Sequence, residues 1–202
     1  MVSDLSRRSF LSGSAVTTAG ATIINTAQTM TAQAENSADG PPLADTQPVT
    51  IRLNVNGAMR MAQIAASMTL AEVLRGSLGL TGTKIACNRG ACSACTVWLD
   101  GVPICACMML AVDVGARSVT TIEGLAQGET LHPVQQAFID HDALQCGFCT
   151  PGMIMSCAAL LQRNPEPNAD EVRAAISGHY CRCGTYPHVI AATLAAAKAH
   201  RG

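Results

Sequence analysis

Cys87-Asn88-Arg89-Gly90-Ala91-Cys92-Ser93-Ala94-Cys95 packs three cysteines into a short stretch with the spacing C-x4-C-x2-C. A compact inorganic cluster needs ligands that converge from several directions, and an irregular loop supplies them better than a helix or a strand. Gly90 and its small neighbours let the backbone fold tightly, leaving amide N–H groups free to donate to sulfur. Downstream, Trp98-Leu99-Asp100-Gly101-Val102-Pro103 reads as a hairpin closed by an Asp-Gly turn. It returns the chain to the loop with two more thiols, Cys105 and Cys107. Strand alternation puts both on one face and does not choose between them.

A second set follows, Cys146-x2-Cys149 and, thirty-one residues later, Cys181-x1-Cys183. The chain therefore offers thiolates for two separate clusters. Ten cysteines in an exported chain also suit a disulfide framework. Bridges need Cα atoms about 4.4–6.8 Å apart with suitable Cβ vectors, which pairs as close as Cys181 and Cys183 satisfy poorly. Structural zinc is chemically acceptable to the second set, because C-x2-C with C-x-C suits a tetrahedral ion. A Rieske centre needs two histidine ligands near the cysteines, and none of His132, His141, His179, His188 and His200 stands in a C-x-H pattern. Cys105 and Cys157 remain without an assigned role. Cys157 reads as a small buried apolar residue in a helical run.

Working outward, Val49, Ile51, Leu53 and Val55 alternate with polar residues before Asn56-Gly57, a strong hairpin signal. Thr69-Leu70-Ala71-Glu72 is a capping box, and Leu70, Val73 and Leu74 give an apolar helix face to cover a sheet. Beyond about residue 120 the pattern becomes helical. Pro133 starts one helix with Val134, Ala137 and Phe138 on one side. Thr150-Pro151 caps and starts another through Met153, Ile154, Cys157 and Leu161, where Met153 and Met155 read as core filling. Asn168 with Glu171 caps a third that Gly178 ends, and a fourth follows Tyr186-Pro187. Both cysteine pairs of the second set then precede helix N-termini, where the dipole favours thiolate.

Ser6-Arg7-Arg8-Ser9-Phe10-Leu11 opens a twin-arginine export signal, with no charge between Arg8 and Glu35 and an A-x-A site at Ala32-Gln33-Ala34. The expected organisation is a signal peptide over 1–34, a Pro/Gly-rich flexible linker over 35–47, a sheet-based domain over 48–120 and a helical domain over 121–202. The signal's apolar stretch is diluted by Ser, Thr and Gly, so no permanent membrane anchor is expected. That route carries folded proteins, so clusters are inserted before export. A formal net charge of -1 gives no electrostatic footprint for nucleic acid.

Over about residues 48 to 198 the chain resembles the small iron-sulfur subunit of the molybdenum hydroxylases, the xanthine dehydrogenase and aldehyde oxidoreductase family. The resemblance rests on the first cysteine loop, on Thr120-Thr121-Ile122-Glu123-Gly124-Leu125, on Gln145-Cys146-Gly147-Phe148-Cys149-Thr150-Pro151-Gly152-Met153 and on Cys181-Arg182-Cys183-Gly184-Thr185-Tyr186. It implies an α+β fold, an N-terminal β-grasp domain of the plant-type 2Fe-2S ferredoxin kind followed by a four-helix 2Fe-2S-binding domain. It implies Cys107, by family spacing, as fourth ligand with Cys87, Cys92 and Cys95, and Cys146, Cys149, Cys181 and Cys183 as ligands of the second 2Fe-2S cluster. Gln145 and the backbone at Cys183 would contact the molybdopterin, in its cytosine dinucleotide form, of a large molybdenum-binding subunit.

The implied activity is that of an oxidoreductase subunit with no substrate site of its own. A partner oxidises an aldehyde or N-heterocycle with water, and the electrons leave through an FAD-binding subunit or a cytochrome. Three departures from the family pattern are Ala86 and Ser93, where it has Gly, and His179, where it has Asn. A Cβ at 93 strains the loop if the backbone there needs positive φ. A free-standing ferredoxin is the alternative from another class. The helical appendage and the sparse charge (13%) suit a permanent protein interface better.

Overall fold

Strands β1 (Val49–Val55) and β2 (Ala58–Ile64) pair antiparallel in a computed structural model that describes residues 47–199. The export signal, its cleavage site and all but the last residue of the linker lie outside the described residues. Asn56 and Gly57 both have positive φ, 54° and 76°, as a type I′ hairpin turn requires. Asn56 also fastens the hairpin to a distant segment. Its carboxamide accepts from Thr121 N–H (2.9 Å) and donates to Thr121 Oγ1 (3.0 Å).

Helix α1 (Leu70–Arg75) follows with the expected box complete. Glu72 N–H donates to Thr69 Oγ1 (3.3 Å), and Thr69 N–H donates to Glu72 Oε2 (2.8 Å). Strands β3 (Thr96–Leu99) and β4 (Val102–Cys105) form the second hairpin about Asp100-Gly101, both at positive φ. Strand β5 (Ser118–Thr120) has no counterpart in the sequence reading. It runs parallel to β1 and antiparallel to β3, giving a five-stranded mixed sheet of order β2-β1-β5-β3-β4. Leu70, Ala71, Val73 and Leu74 of α1 bury against Leu53, Val55, Val97 and Val119 of this sheet.

Four helices follow: α2 (Pro133–Asp140), α3 (Thr150–Arg163), α4 (Ala169–Ala175) and α5 (Tyr186–Ala199). Asn168 and Glu171 box α4 as expected, but the helix stops at Ala175, short of Gly178. Thr150 is the first helical residue of α3, and Cys149 is its cap. Phe138, Met153, Met155, Cys157, Val189 and Ala192 build a second core, so the two methionines are core filling and Cys157 is buried as read.

The two cores meet closely within one compact unit. Trp98, on β3, buries its indole in the helical core and donates Nε1–H to the Met155 carbonyl (2.8 Å). Gly152 lets α3 approach the cysteine loop, because a Cβ there would stand 2.5 Å from the Ser93 carbonyl oxygen. Among the described residues no helix is long and apolar enough to cross a membrane.

Candidate metal centres

All ten cysteines are free thiols. In the first set the Cys87 and Cys92 thiols are hydrogen-bonded to each other, as are those of Cys95 and Cys107. Backbone amides aim at the sulfurs: Gly90 N–H donates to Cys107 Sγ (3.3 Å) and Ala91 N–H to Cys87 Sγ (3.3 Å). The amide of Arg89, with lesser help from Cys92, lowers the Cys87 thiol to about 7. Burial pushes Cys95 up to about 12, and the neighbouring Cys107 and Cys105 thiols add to that. Metal binding must displace these protons, so one sulfur of the set is ready and another is held back until a cation arrives.

The alternation that left Cys105 and Cys107 equivalent does not extend that far. Strand β4 ends at Cys105, and residues Ala106–Met108 form a 3-10 turn that buries Cys107. Cys105 Sγ points instead towards the Gly90 carbonyl (3.9 Å) and Ser93 Oγ (3.8 Å). Ser93 does take positive φ, 54°, which costs an L residue roughly 1–2 kcal/mol.

In the second set Cys149 caps α3 and its thiol meets Cys181. Burial drives Cys149 up to about 12, so its place at a helix N-terminus does not by itself yield a thiolate there. For Cys181 burial works upward, but hydrogen bonds from the Thr185 hydroxyl (3.3 Å) and amide, the Cys149 thiol and the Cys183 amide outweigh it and leave about 7. Gln145 and Cys146 are exposed beside Phe148, a large apolar side chain that is 47% exposed.

Several residues make contacts here that the sequence did not assign. Tyr180 N–H donates to the Cys92 carbonyl (3.3 Å), which sets Cys181, the next residue, against the first loop. The Tyr186 hydroxyl accepts from Cys181 N–H (2.8 Å) and donates to the His179 carbonyl (2.9 Å). His179, only 4% exposed, shares its Nε2 with Ser156 Oγ (2.7 Å), while burial lowers it to about 4. With Ser93, Cys105 and Ser156 it lines a cavity of about 140 Å³ between the two cores.

The residues fit an iron-sulfur group by donor chemistry: four thiols per set, with N–H and O–H donors directed at sulfur. Among the described residues no three His, Cys, Asp or Glu side chains close around one metal ion. Four sulfurs around a two-iron unit span a larger object than that.

Fold and donors define an iron-sulfur protein of mixed α/β architecture. A family model described as a [2Fe-2S] binding domain matches residues 121–194, and a twin-arginine translocation signal matches residues 4–23. The nicotine 6-hydroxylase small subunit of Paenarthrobacter nicotinovorans is 45% identical, over 72% of this chain and 88% of that protein. The aldehyde oxidoreductase iron-sulfur-binding subunit of Escherichia coli (strain K12) is 38% identical, over 93% of this chain and 86% of that one. A chain of quinoline 2-oxidoreductase from Pseudomonas putida 86 superposes with a TM-score of 0.74 at 45% identity, covering 77% of this chain and 97% of its own. This chain belongs to the family of iron-sulfur small subunits of molybdenum hydroxylases. It serves electron transfer in an oxidoreductase and is exported by the twin-arginine route to the periplasm.

Proposed function

We propose that this chain holds two 2Fe-2S clusters, one in a β-grasp domain over 48–120 and one in a four-helix domain over 121–202. Cys87, Cys92, Cys95 and Cys107 ligate the first, and Cys146, Cys149, Cys181 and Cys183 the second. Clusters bound there would supply one-electron transfer. The residues of the chain hold the sulfurs in place, satisfy their lone pairs with N–H and O–H donors and keep water from three of the four sulfurs of the first set.

The electrons come from a large molybdenum-binding subunit that oxidises an aldehyde or N-heterocycle with water. They leave through an FAD-binding subunit or a cytochrome. Gln145 and the Cys183 backbone contact the molybdopterin, as its cytosine dinucleotide, on that partner. The exported mature chain begins near Glu35.

The observation that carries this reading is the Tyr180–Cys92 hydrogen bond, which brings the two thiol sets to one junction. The exposure of Gln145, Cys146 and Phe148 supports a covering partner on the second set's side. Purification from the producing cells tests it. A stable complex with a molybdenum protein is expected; a monodisperse monomer would favour a free carrier, and colourless protein with zinc would favour a structural ion. Gln145→Ala should slow electron entry with both iron signals intact, and unchanged kinetics would remove its role.

A further inference from the structure

The charge of this chain is unevenly divided. Over 48–120, Arg52, Arg60, Arg75, Lys84, Arg89 and Arg117 face only Glu72, Asp100 and Asp113, whereas over 121–199 acidic residues outnumber basic ones by seven to four. Part of the excess gathers beside the first cysteine loop. Arg75 donates to the carbonyls of Thr81 and Thr83 (both 2.7 Å), and Lys84 Nζ donates to the same Thr81 oxygen (2.8 Å), so two cations stand on one backbone atom. Lys84 lies three residues before Cys87, the least buried sulfur of its set, and exposed Arg89 lies between Cys87 and Cys92. Glu123 reaches this loop too, but its carboxylate accepts from Gly82 N–H (2.8 Å) and from the Thr121 hydroxyl (2.5 Å). The ion pair Arg173–Asp170 lies far along the chain, and none joins Arg75, Lys84 or Arg89 among the described residues, so these three keep their charge for a partner.

We infer that the surface formed by Arg75, Lys84 and Arg89 is the electron-exit face and docks an acceptor protein that presents Asp and Glu side chains. The inference rests on the two-cluster reading above. Like charges repel and opposite charges steer encounters, so a basic rim at the exposed edge of a redox centre selects an acidic face and speeds its approach. The formal side-chain charge of -1, made more negative by thiolate-bound clusters, would repel an anion, which makes a local attraction distinguishable from the global effect.

The sequence contains two lysines, Lys84 and Lys198, which permits a clean test on the intact complex from the producing cells. A water-soluble carbodiimide joins lysine amines to carboxylates already in contact. Mass spectrometry of the digest is expected to find Lys84, and not Lys198, joined to an Asp or Glu of another polypeptide. Lys84 unmodified, or joined only to Glu123 of its own chain, would overturn the inference.

Kinetics supply a second readout. Dithionite-reduced protein is mixed with ferricyanide, where each electron leaving the protein converts one ferricyanide to ferrocyanide, or with the cation hexaamminecobalt(III). The ferricyanide rate should fall about tenfold as salt screens the patch, while the cobalt rate rises. K84E with R89E should reverse both trends and keep both iron signals. The same salt response for both oxidants contradicts the exit face, whereas protein lacking iron would contradict the two-cluster reading instead.

Discussion

Three of the four sulfurs in the first cysteine set are buried by this chain itself, whereas in the second set Cys149 alone is buried and Cys146 is exposed. The donors differ as well. Loop amides serve the first set, and the Thr185 hydroxyl and the Cys183 amide serve Cys181 in the second. A centre that its own chain encloses has its surroundings fixed before assembly. A centre left open on one side, among Gln145, Cys146, Phe148 and Arg182, takes part of its surroundings from whatever covers it. The second set should therefore respond to a partner, and the first to changes in its own loop.

The largest test of this contrast removes ligands. Cys92→Ala and Cys149→Ala should each lower iron by about half and erase one paramagnetic species, a different one in each variant. Loss of both signals from either change would mean that the two sets do not assemble independently.

The next effect concerns the joint between the two cores. Trp98→Ala empties a site in the helical core and should cost about 3–5 kcal/mol. Trp98→Phe keeps a ring but gives up the hydrogen bond to Met155, at a cost of about 1–2 kcal/mol. Urea unfolding of the iron-loaded protein, followed by far-ultraviolet circular dichroism, measures both. Equal stability of the Trp98→Phe variant would show that packing alone holds the joint.

Ser93→Gly is gentler. It relieves the positive φ and removes the hydroxyl beside Cys105, so one cluster should persist with a displaced midpoint potential while the other stays put. Identical potentials in a redox titration would count against any role for that side chain.

The smallest effect is at α1, beneath the first set. The amide of Thr69, then its hydroxyl, hold Glu72 below the usual carboxylate range. A lowered pKa in the folded state means stability that is present above the ordinary value and lost as pH falls through the folded one. Glu72→Gln should therefore cost well under about 1 kcal/mol at neutral pH, since solvent screens this partly exposed carboxylate, and its difference from the parent should shrink as pH falls below the ordinary glutamate value. A difference independent of pH would assign the effect to geometry and not to charge.

Local chemistry was the legible part of the sequence. Asn56-Gly57, Asp100-Gly101, the Thr69 and Asn168 boxes and the start at Pro133 all act over a few residues, and each forms where its pattern points. Strand β5 went unseen because it is three residues long and exists through pairing with β1 and β3, which no local pattern encodes. Strand alternation failed at Cys107 because β4 ends two residues earlier, where a 3-10 turn begins. The end of α4 at Ala175 likewise precedes its glycine signal. At the site, cysteine spacing marks the sulfurs but says nothing of what ties the sets together. Tyr180 to Cys92, Trp98 to Met155 and His179 to Ser156 are contacts between residues far apart in the chain, and they arise only when the two cores pack.

Iron analysis combined with electron paramagnetic resonance of anaerobically prepared, dithionite-reduced protein tests the central claim most directly. Two binuclear centres predict about four iron atoms per chain and two distinct rhombic signals. Well under that iron content, or a single signal at full reduction, would contradict the account.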